Sequence, residues 1–255
     1  MLLVILFIMV LPGLKGLPTP APSQLPSLIK KCHFSNDSCL IDSFNSFIEV
    51  FARGMPRLGF KSFDKFPLPD IPVYNCSHDR PIWMSFILRN PVFKGLENAT
   101  VYRVKGFDRD PTKMIRLKYR IPRVEVEGFF YYQIKVGFFE TSGSGPIKFD
   151  LQNARFTTIF KVYIEFRKEK RHLKLYSFES QLELDRMIFL LDNLFADNSD
   201  LTFAINKVLN THWLEFWNEL EPNFIPALSR MGVNRTQEFF DHFSYDDLFL
   251  RDDEQ

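Results

Sequence analysis

Leu201–Met231, LTFAINKVLNTHWLEFWNELEPNFIPALSRM, is the stretch on which the reading of the fold turns. At about 3.6 residues per turn, Ile205, Val208, Leu209, His212, Trp213, Phe216, Trp217 and Leu220 cover roughly half of a helix circumference. Asn206, Lys207, Asn210, Thr211, Glu215 and Asn218 take the other half. The apolar arc is wider than a coiled-coil seam, so a single neighbouring helix would leave part of it uncovered, whereas a curved surface would cover it. At ~1.5 Å per residue the segment spans roughly 45 Å. Pro222 and Pro226 lie inside the pattern and predict a kink or break near Glu221.

The partner for that helix is legible upstream. From Phe60 to about Phe178 the hydrophobic period changes to two. Ile115, Leu117, Tyr119 and Ile121 alternate with charged residues, and Val124 and Val126 alternate with Glu125 and Glu127. Ile134, Val136 and Phe138 follow, then Ile147, Phe149 and Leu151, then Phe160, Val162, Ile164 and Phe166. These are half-buried antiparallel strands with one apolar face. Ser142–Gly145 and Arg167–Arg171 read as hairpin tips. The predicted class is α+β, a long C-terminal helix wrapped by a strongly curved antiparallel β-sheet.

The N-terminal part reads as an export leader. Residues 1–16 carry an apolar run, Leu2–Leu11, of signal-peptide length and too short to span a bilayer, ended by Pro12-Gly13. Cleavage is expected after Gly16. Residues 17–30 form a Pro-rich lead-in, and residues 31–255 are read as one ligand-binding domain. Four sequons, at Asn36, Asn75, Asn98 and Asn234, agree with export, and so a secreted, extracellular product is expected. Of three cysteines, Cys32 and Cys39 flank a short polar loop and are expected to bridge. Cys76 is left either as a small buried hydrophobe or for intermolecular pairing. A short amphipathic helix follows, with Ser38 as the expected N-cap, a stripe of Leu40, Ile41, Phe44, Phe47, Ile48 and Phe51, and Gly54 at its end.

Composition narrows the function. There are 29 Phe against 3 Trp and 8 Tyr, large apolar area without a polar handle. Basic residues number 32 and acidic 31, and loss of Lys15 with the leader leaves them in balance, which argues against a nucleic-acid partner. No later segment predicts stable membrane insertion. No catalytic, metal or cofactor motif survives inspection. The histidines at 33, 78, 172, 212 and 242 lack the i, i+4 spacing of helical zinc ligands, and Gly143-Ser144-Gly145 lacks the spacing of a nucleophile elbow. Glu215, Glu219 and Glu221 read as solvated. The expectation is a protein that is not an enzyme.

The order of these pieces resembles the takeout and juvenile-hormone-binding proteins of insects. The anchors are Gly54-Met55-Pro56 leading to Ser62-Phe63-Asp64, Gly128-Phe129-Phe130-Tyr131, Leu209–Trp213 followed by Glu219-Leu220-Glu221-Pro222, and the Phe239–Leu250 tail. Lys65 stands where the family usually has proline. The family's hormone carriers tend to carry a second disulfide that Cys76 cannot make once Cys32 pairs with Cys39, which favours the takeout-like branch. The resemblance implies a super-roll of the tubular lipid-binding type with an apolar tunnel.

Together these point to a secreted carrier of a small hydrophobic ligand such as a terpenoid, a fatty acid or a related lipid. The expected tunnel wall is Trp213, Phe216, Trp217 and Leu220, with His212 as a polar contact, facing Phe160, Val162 and Ile164. The competing readings are a secreted interaction protein with a filled core and a membrane-surface lipid binder.

Overall fold

The computed structural model describes residues 25–27, 29–75, 82–195 and 198–250, apart from the side chains of Arg57 and Asn75. The expected leader, the lead-in up to residue 24, the Asn75 side chain and Cys76 lie outside the described residues.

Helix α1 (Asp37–Phe51) turns the predicted stripe inward, with Leu40 and Phe51 buried and the rest half-buried. Its N-cap is Asn36 rather than Ser38, because residues 37–39 are already helical and Asn36 Oδ1 accepts the Cys39 N–H at 3.2 Å. Cys32 and Cys39 form the expected disulfide, with Cα atoms 5.8 Å apart. Cys32 also pairs by backbone with Phe249, and its carbonyl accepts the Leu250 N–H, so one bridge holds the lead-in, α1 and the C-terminal tail together.

Eight antiparallel strands follow: β1 (Lys65–Pro67), β2 (Ile71–Asn75), β3 (Ile82–Lys94), β4 (Thr100–Lys105), β5 (Ile115–Val136), β6 (Phe139–Arg167), β7 (Lys170–Glu183) and β8 (Arg186–Leu191). Pieces that read as separate strands are continuous: β5 has 22 residues and β6 has 29. The backbone order is β1-β3-β5-β6-β7, with β2 on β3, β4 on β5 and β8 on β6. Partners change where the long strands bend. Asn153 (φ 53) interrupts β6 between its pairing with β8 and with β7, and Asn90 (φ 49) bulges β3.

The expected tip at Ser142–Gly145 is a correction. Those residues lie inside β6, and the β5–β6 turn is Gly137-Phe138, with Gly137 at φ 60. The glycines in β6 instead make room for aromatic rings. A Cβ on Gly143 would come within 2.6 Å of the Tyr132 ring, and one on Gly145 within 3.0 Å of Phe130 and closer still to the Asp192 carbonyl. Tyr132 and Phe130 are their cross-strand partners.

The long helix is also corrected. Helix α2 (Ser199–Thr211) stops at His212, whose φ of −109° and ψ of 36° are not helical, and α3 (Trp213–His242) then runs through both prolines. Pro222 and Pro226 are four apart and share the exposed face, as do residues 218 and 222, whose carbonyls lose their N–H donors. Water can fill those positions, so the helix continues. Helix α3 packs on β2 near one side of the sheet and on β7 and β8 at the other, so the sheet curls round it without closing.

Helix α2 sits differently from the prediction. Its inward face is half-buried and mixed, with Ile205 and Leu209 of the predicted arc beside Asn206 and Asn210 of the predicted polar half. Asn206 Oδ1 accepts the Leu191 N–H at 2.8 Å and its Nδ2 donates to Leu191 O at 2.7 Å, while Asn210 does the same with Phe189, both at 2.8 Å. Four residues of helix advance ~6 Å and two of strand ~6.6 Å, so two asparagines at i, i+4 match alternate residues of β8 whose backbone groups face its free edge. Val208 and Phe203 are exposed as a consequence.

The basic tip at Arg167–Arg171 is a hairpin turn as read, with Lys168 and Glu169 both at positive φ. Its flanking cations pair with acids of the C-terminal region. Arg167 and Lys174 reach Asp241 at 3.0 and 2.6 Å, and Lys170 and Arg171 reach Asp247 and Asp246 at 2.8 and 2.6 Å. The last two acids belong to α4 (Tyr245–Leu248).

Two tests follow from this arrangement. Asn210→Leu should cost roughly 1–3 kcal/mol in denaturant unfolding, because it strands the Phe189 N–H and C=O, and should speed amide exchange at Phe189. The carboxyls of Asp241 and Asp247 are pushed up by burial, but their hydrogen bonds from Lys174, Arg167, Lys170 and Ser244 outweigh this and hold both below the usual range. Their stabilisation is therefore complete above the unfolded value of about 3.9 and is lost as pH falls through the lower folded values. Stability measured against pH should fall less steeply below about pH 4 in the Asp241→Asn, Asp247→Asn double variant than in the wild type.

Candidate functional site

Beyond Leu228, helix α3 faces α1 across the concave surface of β5, β6 and β7. The space between them is a cavity of about 280 Å³. Each wall follows from a sequence period. Strand β5 contributes Leu117, Tyr119 and Ile121, β6 contributes Phe156, Thr158 and Phe160, and β7 contributes Phe178 and Ser180, all alternate residues. Helix α1 adds Leu40, Phe44, Phe47 and Ile48, and α3 adds Leu228, Met231, Gly232, Arg235 and Phe239, both at helical spacing. Leu25 and Ile29 of the lead-in complete the enclosure.

Several of these side chains are only half-buried although they sit between packed elements, Phe44, Phe47, Leu117, Tyr119 and Phe178 among them. The surface they leave open is the cavity's. Gly232 helps keep it shaped, since a Cβ there would come within 2.7 Å of the Phe178 ring.

Polar groups are few and mostly paired. The Tyr119 ring stacks on Phe156 with centroids 5.0 Å apart. Burial raises the pKa of its phenol, and a hydrogen bond with Thr158 opposes the rise without cancelling it, so Tyr119 is a neutral phenol at physiological pH. Ser43 donates to Lys30 O at 2.9 Å. Arg235 pairs with Glu238 at 2.8 Å.

Among the residues expected on the wall, Phe160 is there, packed on Phe107, Phe178 and Phe240. Val162 and Ile164 lie further along β6, in the cluster with Leu173. Trp217 and Leu220 are buried in the main core, where Trp217 meets Phe224. Phe216 is 38 % exposed and touches Phe189, Trp213 is half-buried beneath the Arg186 guanidinium, and His212 is exposed beside Glu215. The reason is the helix break at His212, followed by continuation through the prolines. The part of α3 opposite α1 is its C-terminal half. The missed signal was the run Leu228, Met231, Arg235 and Phe239, which keeps helical period past Pro226. The described sequon asparagines, Asn36, Asn98 and Asn234, are all exposed.

A sequence model of the haemolymph juvenile hormone binding protein (JHBP) family matches residues 2–250. The chain belongs to this family. It is 22 % identical to the circadian clock-controlled protein daywake of Drosophila melanogaster over 240 residues, 91 % of each chain. The Drosophila yakuba protein of the same name is 23 % identical over 235 residues, 90 % of each. The crystal structure of Epiphyas postvittana Takeout 1 superposes with a TM-score of 0.74 at 20 % identity, covering 88 % of this chain and all of that one. The shared architecture is therefore the family's curled sheet with a C-terminal helix. This JHBP-family chain places its cavity in that sheet's concave face, and its family is one of binding proteins.

Phe178→Ala on the cavity wall should cost well under the ~3–5 kcal/mol of a filled-core Phe deletion, because the new void merges with existing space. Phe130→Ala, fully buried and away from the cavity, should show the full cost. Thermal unfolding of delipidated protein compares the two.

Proposed function

We propose that this JHBP-family chain is a secreted carrier that holds one small hydrophobic molecule, of terpenoid or fatty-acid type, between α1 and the C-terminal half of α3. The observation that carries this reading is the apolar cavity of about 280 Å³, partly open to solvent and walled by Phe, Leu and Ile with few polar groups. Its size falls just below the ~300–1,000 Å³ usual for small-molecule sites. Burying an apolar ligand of about fifteen carbons there offers on the order of 10 kcal/mol before ordering costs, at ~0.8 kcal/mol per CH₂. Such a ligand needs no catalytic group, only exclusion from water. The haemolymph setting of the family agrees with the leader, the sequons and the Cys32–Cys39 bridge, all of which belong to an oxidising, exported environment.

The test is direct. Full-length chain expressed in insect cells should be recovered from the medium beginning at Leu17, and native mass spectrometry should find it with one lipid-sized adduct. Delipidated protein should then bind a neutral fluorescent probe in competition with that lipid. Absence of both adduct and probe binding would instead favour an interaction protein with a filled core.

A further inference from the structure

The cavity has one charged side chain among its described lining residues, Arg235. Its guanidinium lies 5.2 Å above the Phe66 ring, and its side chain is 25 % exposed. Among the described residues its one hydrogen bond runs from Nη1 to Glu238 Oε2, at 2.8 Å. Glu238 also lines a shallow polar surface pocket with Asn234, Gln237, Asp241 and His242. Arg235 thus stands where apolar interior meets polar exterior, on the same face of α3 as Leu228, Met231 and Phe239.

A guanidinium carries five N–H donors in a fixed fork, of which Glu238 takes one. A ligand that covers this guanidinium takes the remaining donors away from water, which is costly unless it brings an acceptor of its own. The acceptor that fits a planar fork is a carboxylate, bound by two parallel hydrogen bonds. Resting on the carrier reading above, we infer that the ligand is a long-chain monocarboxylic acid. Its carboxylate is held by Arg235 at the mouth, and its chain lies along Phe239, Phe178 and Phe160. Thr236, the next residue on the helix, also lines the wall. Tyr119 and Thr158 satisfy each other and leave the inner end of the cavity to hydrocarbon. A neutral ester of the same length would fill the same space but leave the Arg235 fork unpaired.

The experiment uses delipidated full-length chain and displacement of N-phenyl-1-naphthylamine at pH 7.5 by hexadecanoic acid and by its methyl ester. The acid should bind at least about tenfold more tightly, a difference of ~1.4 kcal/mol. Arg235→Met, which keeps the stem over Phe66, should bring the acid down to the ester's affinity and leave the ester unchanged. Glu238→Gln removes the competing carboxylate and should strengthen the acid alone by a few-fold, and it carries the test if Arg235→Met does not fold by circular dichroism. Equal affinity of acid and ester in the wild type, or an acid preference that survives Arg235→Met, overturns the head-group assignment and leaves the carrier reading standing. Failure of the wild type to bind probe, acid or ester removes the carrier reading itself.

Discussion

An antiparallel sheet that curls round a helix without closing leaves rows of backbone N–H and C=O groups at its free edges, and these must be satisfied. Here the partners are carboxamides on helices. Asn45 of α1 accepts from Val101 N at 2.8 Å and donates to Val101 O at 3.0 Å on β4. Asn206 and Asn210 of α2 bracket Leu191 and Phe189 on β8, and Gln237 of α3 accepts from Leu175 N and donates to Leu173 O on β7. A carboxamide offers the same donor and acceptor as a peptide group, so each helix stands in for the strand that is missing. These bonds fix where the helices lie, and the helices fix everything inside.

The cavity is a consequence of that docking. Because α1 is held to the β4 edge and the C-terminal half of α3 to the β7 edge, the two helices stand apart over the strands between them. The facing side chains are mostly phenylalanines, whose rigid rings have few ways to collapse into the gap. Phe47 is edge-on to Phe239, with centroids 5.0 Å apart, and Phe160 lies 6.1 Å from Phe178. The ends are tied as well. The Cys32–Cys39 bridge holds the lead-in near Leu25 and Ile29, and the acidic residues after Phe240 lock the tail to the β6–β7 turn. An apolar space kept open in this way suits binding of a hydrophobic molecule by a member of the JHBP family.

The few polar groups in the wall divide by role. Tyr119 with Thr158 and Ser43 with Lys30 are internally satisfied, so they add specificity of packing at little desolvation cost. Arg235 differs because most of its fork has no protein acceptor among the described residues. The contrast separates an inner, hydrocarbon-like end of the cavity from an outer end able to recognise charge.

The sequence by itself determined the class of this protein. Alternation at Ile115–Ile121, Val124–Val126 and Ile147–Leu151 placed the apolar face of the sheet correctly, and helical spacing at Leu40–Phe51 placed the apolar face of α1, because both periods are imposed locally by backbone geometry. The Cys32–Cys39 pairing was legible for the same reason, since its loop is short. What only the tertiary structure decided was which half of the late helix meets the cavity. Pro222 and Pro226 signal a break in isolation, but both face water, so the helix continues. Asn206 and Asn210 look like a solvated face, but a sheet edge with unpaired backbone groups binds them more strongly than water can. The helix therefore docks the asparagines of α2 on the sheet edge beside Leu209, leaves His212 and Phe216 near solvent, and carries Arg235 and Phe239 to the cavity. Sequence periods report which residues share a face, whereas the choice of what that face meets is made by groups far away in the chain.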